Sequence, residues 1–517
     1  MLIALQSIVY EAINKYIDNI NALRVIKATH AKRYHITMPT NASILAEYQT
    51  MLQAQLIKPS LVLEKLLQIR SVRTLSGIAP ICVLTKPYPC PGRCIYCPSE
   101  ANMPKSYMDT EPGAMRALQL QFDPYLQVTK RIEALERNGH RPEKCELIIL
   151  GGTWSAYQPD YQEWFMRRCY EGFNGDVSTT LDEAKRFNET AKYRVIGCTI
   201  ETRPDHITEA EVKRLRWLGA TRVQMGVQTV NIDVLQAARR EQTNEQVKYA
   251  TQLLKEAGIK ITYHMMQNLP GATPTTDLQD IKTIFTDSSY QPDHLKIYPC
   301  VVVKSAPLYQ VWQKEEYQPY DLDTLTNLLI AIKTQVPRYV RIERLVRDIP
   351  ANSIAAGNVV TNLRQIMQLR KVQCKCIRCR EPRGDNTGIN EAQLFIEQYT
   401  ASAGQEYFIS YENPERTKLF GFMRLRLQNI KQHWYGVLQD TAIIRELHIY
   451  GRLVPIADNS NVIQHKGFGK KLMLEAERIA QEQNFQKIAV IAGVGVREYY
   501  EKLGYRLDEE YMIKNLH

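Results

Sequence analysis

The chain has 517 residues and a formal net charge of +11, with 66 lysines and arginines against 55 acids and 44% apolar residues. That length exceeds the roughly 250–300 residues at which a single core stops growing, and that apolar share excludes global disorder. No apolar run reaches the ~18 residues needed to cross a bilayer, and the opening MLIALQSIVYEAINKY has no basic leader, so we expect a cytoplasmic enzyme of several domains.

Residues 1–70 are expected to be helical. Arg24, Lys27, His30, Lys32 and Arg33 have no acid among them and form either a nucleic-acid contact or a solvated helix face. From 71 to 335, the strand candidates APICVLT, ELIILGG, RVIGCTI, RVQMGV, IKITYHMM and HLKIYP alternate with helical patterns such as NEQVKYATQLLKEAG. Such alternation predicts an α/β fold, a parallel sheet curled into a partial (β/α) barrel, with ligands gathered at the carboxyl ends of its strands.

Just after the first strand candidate stands Cys90-Pro-Gly-Arg-Cys94-Ile-Tyr-Cys97. Three thiolates hold three irons of a 4Fe-4S cluster and leave the fourth iron open to S-adenosylmethionine. A zinc knuckle is disfavoured because no fourth Cys or His lies nearby. Tyr96 stands directly before the last cysteine. Gly151, Gly152 and Thr153, after ELIIL, offer bare backbone to the ligand's amino group. Glu201 and Arg203, after RVIGCTI, supply a carboxylate for ribose hydroxyls and a cation for a carboxylate or phosphate. Cys82, Cys145, Cys169 and Cys198 stand singly and are expected as buried structural thiols.

Residues 336–390 form a basic connector. Between Lys333 and Arg383, twelve lysines and arginines face only Glu343, Asp348 and Glu381, a net charge of +9 that fits a polyanion. The second cysteine group, Cys374, Cys376 and Cys379, lacks a fourth ligand. Cys300 folded back onto it makes a closed tetrahedral zinc site; three ligands plus water, and free thiols, are the alternatives.

Residues 391–517 change to long strands and read as a second α/β unit. Gln464, Gly467, Phe468, Gly469 and Lys470 precede a helix with apolar Leu472, Met473, Ala476, Ile479 and Ala480. A glycine loop opening a helix turns backbone N–H groups toward an anion, here the pyrophosphate of coenzyme A. The strand KIAVIA and a helix bearing Tyr499 and Tyr500 follow; one tyrosine is expected to pack and the other to face the site.

That order of elements resembles the GNAT acetyltransferases. The resemblance implies that the backbone of Glu446, Leu447, His448 and Ile449 holds the pantetheine arm and that Tyr500 contacts the thioester sulfur. The cysteine loop with Tyr96 resembles the radical S-adenosylmethionine superfamily, which implies that Tyr96 meets the adenine of S-adenosylmethionine. Both units in one chain, with EPGAMRALQLQFDPYLQ, ETRPD, VQMGVQTV, RDIPANSIAAGN and RELHIYG, resemble the catalytic-subunit family of Elongator in its compact bacterial or archaeal type.

This resemblance implies a radical S-adenosylmethionine barrel followed by a GNAT domain, and makes tRNA the nucleic acid that the basic helical segment 1–70 is expected to touch. It also implies an activity: acetyl-CoA and a 5'-deoxyadenosyl radical convert the wobble uridine of tRNA to 5-carboxymethyluridine. The partners are then the tRNA anticodon stem-loop and an electron donor, without accessory subunits. Lys144, otherwise read as a surface lysine, contacts acetyl-CoA by the same resemblance and joins Tyr500 as a catalytic candidate. Arg240-Glu241-Gln242 stands where the family commonly has Arg-Gly-His, which bears on local substrate contacts. The competing activity is protein lysine acetylation with a structural iron-sulfur domain; a tRNA-binding scaffold with degenerate sites is opposed by the intact motifs.

Overall fold

The computed structural model describes residues 1–69, 77–360, 362–370, 372–428, 430–451 and 467–516. Four helices open the chain: α1 (Leu2–Asn14), α2 (Ile20–Arg33), α3 (Asn41–Gln53) and α4 (Leu61–Leu67). The side chains of Asn19, Thr40 and Ser60 cap α2, α3 and α4, and Leu5, Ile8, Leu23, Ile44, Tyr48 and Leu63 share a small core of their own. His30 does not belong to a basic surface here. It is buried, with its Nε2 2.6 Å from Glu11, while Arg24, Lys32 and Arg33 are exposed.

The strands β1 (Ala79–Leu84), β2 (Lys144–Leu150), β3 (Arg194–Thr202), β4 (Arg222–Gln228), β5 (Lys260–Met265) and β6 (His294–Ile297) follow the six apolar segments read from the sequence. After β7 (Val302–Val303), the expected connector contributes β8 (Arg341–Arg344), which completes a seven-stranded, all-parallel sheet in the order β1-β2-β3-β4-β5-β6-β8. The barrel sheet thus runs past the boundary expected at 335. β9 (Ile354–Ala356) pairs antiparallel with β7.

The outer face of this sheet is apolar: Ile81, Val83, Leu147, Ile149, Val223 and Ile261 are fully or almost fully buried beneath the helices. The inner face alternates with it and is polar, presenting Lys144, Glu146, Arg222, Gln224, His294, Lys296 and Glu343. Cys145, Cys169 and Cys198 are buried thiols, but Cys82 also points to the inner face and is exposed there.

The last third forms a second seven-stranded sheet from β10 (Gln393–Ala401), β11 (Gly404–Glu412), β12 (Leu419–Leu427), β13 (Thr441–Ile449), β14 (Lys487–Val490), β15 (Arg506–Asp508) and β16 (Tyr511–Asn515). Its order is β10-β11-β12-β13-β14-β16-β15, with β13 and β14 the parallel pair. The helix Phe468–Glu482 covers one face through Leu472, Met473, Ala476 and Ala480.

The two sheets are locked together by buried charges. Arg445 of β13 donates to Asp293, before β6, at 2.6 Å and to Glu406 of β11 at 2.9 Å, and all three are fully buried. Arg424 of β12 approaches Asp293 at 3.6 Å and bonds Glu446 at 2.8 Å. No described helix is long and apolar enough to cross a membrane.

Candidate active site

One cavity of about 1910 Å³ runs along the inner face of the barrel sheet. At one end it reaches Tyr96, Cys97 and Glu201; at the other it reaches His448, Gly467, Gly469 and Tyr500. The two candidate sites, far apart in sequence, therefore open into the same space.

At the first end, Cys94 is buried and Cys90 and Cys97 are partly exposed. Cys90 Sγ lies 3.6 Å from the hydroxyl of Thr153, so the glycine turn after β2 borders the cysteine loop. A bond from the Cys97 thiol, aided by the charge of Arg240, holds the Cys94 thiol well below the usual thiol range against the opposing effect of burial. The three thiols do not converge within 4.8 Å, as the donors of one ion do. A cluster whose ligands sit on separate irons accommodates that spread.

Gly151 and Gly152 have φ of 139° and 91°, a conformation that leaves their backbone unshielded. Tyr107 donates to Glu201 at 2.6 Å, and burial raises the Glu201 carboxyl. Arg203 is a fork on Asp205, at 2.9 and 2.6 Å, with its Nη1 buried and unpartnered. The Tyr96 hydroxyl is also buried, and it interacts with the Cys94 thiol. An unsatisfied buried polar group is costly, so the free Arg203 Nη1, beside Gly92 of the cysteine loop, suits a polar ligand atom.

At the second end, the ladder between β13 and β14 covers only Thr441–Ile444. Glu446, Leu447, His448 and Ile449 remain paired to β12, and among the described residues their β14 side has no ladder partner. The opened edge leaves backbone donors and acceptors for an extended ligand. Gly467, with φ 72°, caps the helix Phe468–Glu482, and Gly469 and exposed Lys470 line the cavity beside it. Phe468 is buried and stacks on Tyr411 at 4.5 Å. Gln464 lies outside the described residues.

Tyr500 is the packed tyrosine, buried against Tyr505, while Tyr499 is 40% exposed; both line the cavity. Lys144 is no surface lysine. It opens β2 on the cavity wall, burial lowers its pKa, and it stands near Arg194, which bonds Glu498 of the second unit at 3.1 Å.

Cys374, Cys376 and Cys379 bring their sulfurs within 4.8 Å of one another beside β8, where the Ile377 amide bonds the Val340 carbonyl. Cys300 does not join them. It is buried in a separate cluster with Cys94, Tyr96 and Tyr317, and its thiol interacts with the Tyr317 hydroxyl. The group thus has three donors, one short of a closed tetrahedral site. Arg240-Glu241-Gln242 touches the cysteine loop: Arg240 Nη1 reaches Cys94 Sγ at 3.5 Å, and Glu241 pairs with Arg93 at 2.9 Å.

Sequence reasoning passed over the charged lumen. His264 of β5 bonds Gln224 at 3.1 Å and faces Glu201 at 3.6 Å, and burial holds its ring neutral. His294 bridges Glu343, at 2.9 Å, toward Glu446, at 3.8 Å. The signal was present: HLKIYP and RVQMGV place polar residues at alternate positions in strands whose two faces a plain parallel sheet would bury.

The sequence signature of the Radical SAM superfamily matches residues 88–282, and that of the Radical_SAM C-terminal domain matches 292–372. The chain is 41% identical, over 94% of its own length and 92% of the relative's, to a tRNA uridine(34) acetyltransferase of Methanocaldococcus jannaschii. It is 37% identical to human Elongator complex protein 3, over 88% and 87% of the two chains. The solved structure of Methanocaldococcus infernus Elp3 lacking its N-terminus superposes with a TM-score of 0.74 at 38% identity, covering 85% of this chain and all of that one. With a radical S-adenosylmethionine barrel, a second α/β unit and this extent of identity, the chain belongs to the tRNA uridine(34) acetyltransferase and Elongator complex protein 3 family.

Proposed function

We propose that this protein modifies the wobble uridine of tRNA, using S-adenosylmethionine and acetyl-CoA to form 5-carboxymethyluridine. The observation that carries the reading is the single cavity of about 1910 Å³ lined by Cys97 and Glu201 at one end and by His448, Gly469 and Tyr500 at the other. An acetyltransferase acting on protein lysines has no use for such a passage. The relatives' name, tRNA uridine(34) acetyltransferase, supports the base and the acyl donor.

The donors present fit a 4Fe-4S cluster on Cys90, Cys94 and Cys97: three thiols on one loop, spread wider than the donors of a single ion, beside the unpartnered Nη1 of Arg203. When bound, that group supplies reductive cleavage of S-adenosylmethionine to a hydrogen-abstracting 5'-deoxyadenosyl species. Tyr96 is placed for the adenine and Glu201, with Tyr107, for the ribose. Gly151 and Gly152 admit the amino end, and Arg203 offers its free N–H to the carboxylate.

For acetyl-CoA, the open edge of β13 from Glu446 to Ile449 holds the pantetheine arm by backbone bonds. The amides of Gly467, Phe468, Gly469 and Lys470 bind the pyrophosphate, aided by the positive end of the helix. Lys144 and Tyr500, both lining the cavity, orient the thioester. Neutral His264, bonded to Gln224, faces Glu201 and resists protonation in the lumen. The arginines of the connector, among them Arg344, Arg364, Arg378 and Arg383, line the cavity and suit the anticodon-loop phosphates. Single-stranded loops release a base at low cost. An electron donor is required, and we expect no accessory subunit. We assign zinc to Cys374, Cys376 and Cys379, with the fourth ligand from outside this group.

The test is nucleoside mass spectrometry of tRNA after anaerobic reaction with reductant, S-adenosylmethionine and acetyl-CoA. Carboxymethyluridine is expected, and its absence together with acetylated protein lysines supports the competing activity. Cys94→Ala abolishes 5'-deoxyadenosine formation in this reading, and unchanged iron content with unchanged cleavage in that variant contradicts it.

A further inference from the structure

Arg240-Glu241-Gln242 acts as a clasp on the cysteine loop. Arg240 and Gln242 are 8% and 4% exposed. The guanidinium of Arg240 is anchored on two edges: Nε donates to Gln242 Oε1 at 2.9 Å, and Nη2 donates to the Gly226 carbonyl. Gln242 is itself tied to β4, since its Nε2 donates to the Val227 carbonyl at 2.6 Å. Gly226 provides the room, because a Cβ there would stand 2.7 Å from Gln228 Nε2 and 3.3 Å from Arg240 Nη2. A guanidinium is planar and rigid, so fixing Nε and Nη2 also fixes where Nη1 points. It points at Cys94 Sγ, 3.5 Å away. The Ile95 amide, bonded to the Ala238 carbonyl at 3.1 Å, ties the cysteine loop to the same segment.

We infer that Arg240, aimed by Gln242, raises the reduction potential of the cluster on Cys90, Cys94 and Cys97, an inference that rests on the cluster reading above. One added electron places more negative charge on the cluster and its thiolate sulfurs. A permanent cation donating to one of those sulfurs stabilises the reduced form more than the oxidised form, and hydrogen bonds to sulfur are among the levers that set such potentials. Burial of both side chains keeps the interaction from being screened as it is in water. Arg240 touches a cluster thiolate directly. Gln242 does not, and it is a positioning residue that acts through Arg240.

The experiment is a redox titration of the reconstituted full-length protein without S-adenosylmethionine, following the reduced cluster by electron paramagnetic resonance. Gln242→Leu keeps a similar volume but leaves Arg240 Nε without its acceptor. We expect its midpoint potential to fall by about 59 mV, the one-electron equivalent of a tenfold loss in the reduction equilibrium. Gln242→His, whose ring nitrogen can accept the same bond, is expected to return the potential to the wild-type value. A merely structural role moves iron content or stability and leaves the potential of bound cluster alone. An unchanged potential in Gln242→Leu at full iron content overturns the inference. Loss of iron binding in that variant overturns it too, since Gln242 would then support the loop and not aim the charge. Failure of the wild-type protein to assemble any cluster is a separate result, and it removes the functional reading itself.

Discussion

Arg445 Nη2 donates to Asp293 Oδ2 at 2.6 Å, joining the strand whose edge lies open to a ligand to the turn that begins β6. Neither residue has any exposed surface. Lys255 lies 3.7 Å from the same carboxylate and Arg424 3.6 Å, so a cluster of desolvated charges stands in the domain interface beside apolar residues such as Ile443 and Tyr511, which share one core with the barrel.

Breaking one partner of such a pair leaves a buried charge uncompensated, so Arg445→Leu is expected to destabilise the protein by about 3–5 kcal/mol. Burial raises the Asp293 carboxyl, but the neighbouring cations outweigh it and hold the group far below its ordinary value, with Arg445 the largest of them. A depressed carboxyl contributes stability that is present above its unfolded pKa, about 4, and is lost as pH falls toward the folded value. The difference between wild type and Arg445→Leu, measured by denaturant unfolding, should therefore shrink in acid; a constant difference from pH 7 to pH 3 would refute the assignment.

Cysteine substitutions separate the two thiol clusters. Cys376→Ser removes one of three converging sulfurs and is expected to lower bound zinc and loosen the segment beside β8, because metal binding is coupled to folding. Cys300→Ser is expected to leave zinc unchanged, since Cys300 packs with Cys94 and Tyr317. Metal analysis of the purified variants decides it, and a zinc loss in Cys300→Ser equal to that in Cys376→Ser would restore the four-cysteine arrangement expected from sequence.

That arrangement marks where sequence reading stops. The six strands from β1 to β6 and the helix Phe468–Glu482 were legible because local periodicity sets them, and the cysteine loop was legible because its ligands are neighbours. Cys300 and Cys374 are 74 residues apart, and no local pattern reports whether such residues meet. The shared cavity was illegible for the same reason, since Glu343 and Glu446 approach His294 only after both sheets have formed. The misread Lys144 followed from its place at the very start of β2, where the alternating pattern has not yet begun to show.

A Cβ on Gly469 would stand 3.0 Å from the Tyr499 hydroxyl, so the helix start has little space for a side chain. Gly469→Val is expected to weaken acetyl-CoA binding at least tenfold, which costs about 1.4 kcal/mol of binding free energy, with S-adenosylmethionine binding unaffected. Isothermal titration with each ligand measures both. Equal loss for the two ligands would mean a general folding defect.

Arg364, Arg378 and Arg383 line the cavity and belong to the connector's basic excess. Reversing the three to Glu should weaken tRNA binding and flatten its dependence on log salt by about 2 to 3, since each lost phosphate contact removes ~0.7–0.9 from the slope. Filter binding from 50 to 200 mM salt reads the slope directly, and an unchanged slope would place the tRNA elsewhere.

In the proposed function, one cavity lets the acetyl group of acetyl-CoA meet chemistry generated at the cysteine loop. Acetyl-CoA carrying three deuterons on its methyl group tests this in a single anaerobic reaction with tRNA. We predict one deuteron in 5'-deoxyadenosine and two in the methylene of carboxymethyluridine, both read by mass spectrometry. Unlabelled 5'-deoxyadenosine formed at full rate alongside carboxymethyluridine, or all three deuterons recovered in acetylated lysine, would contradict it.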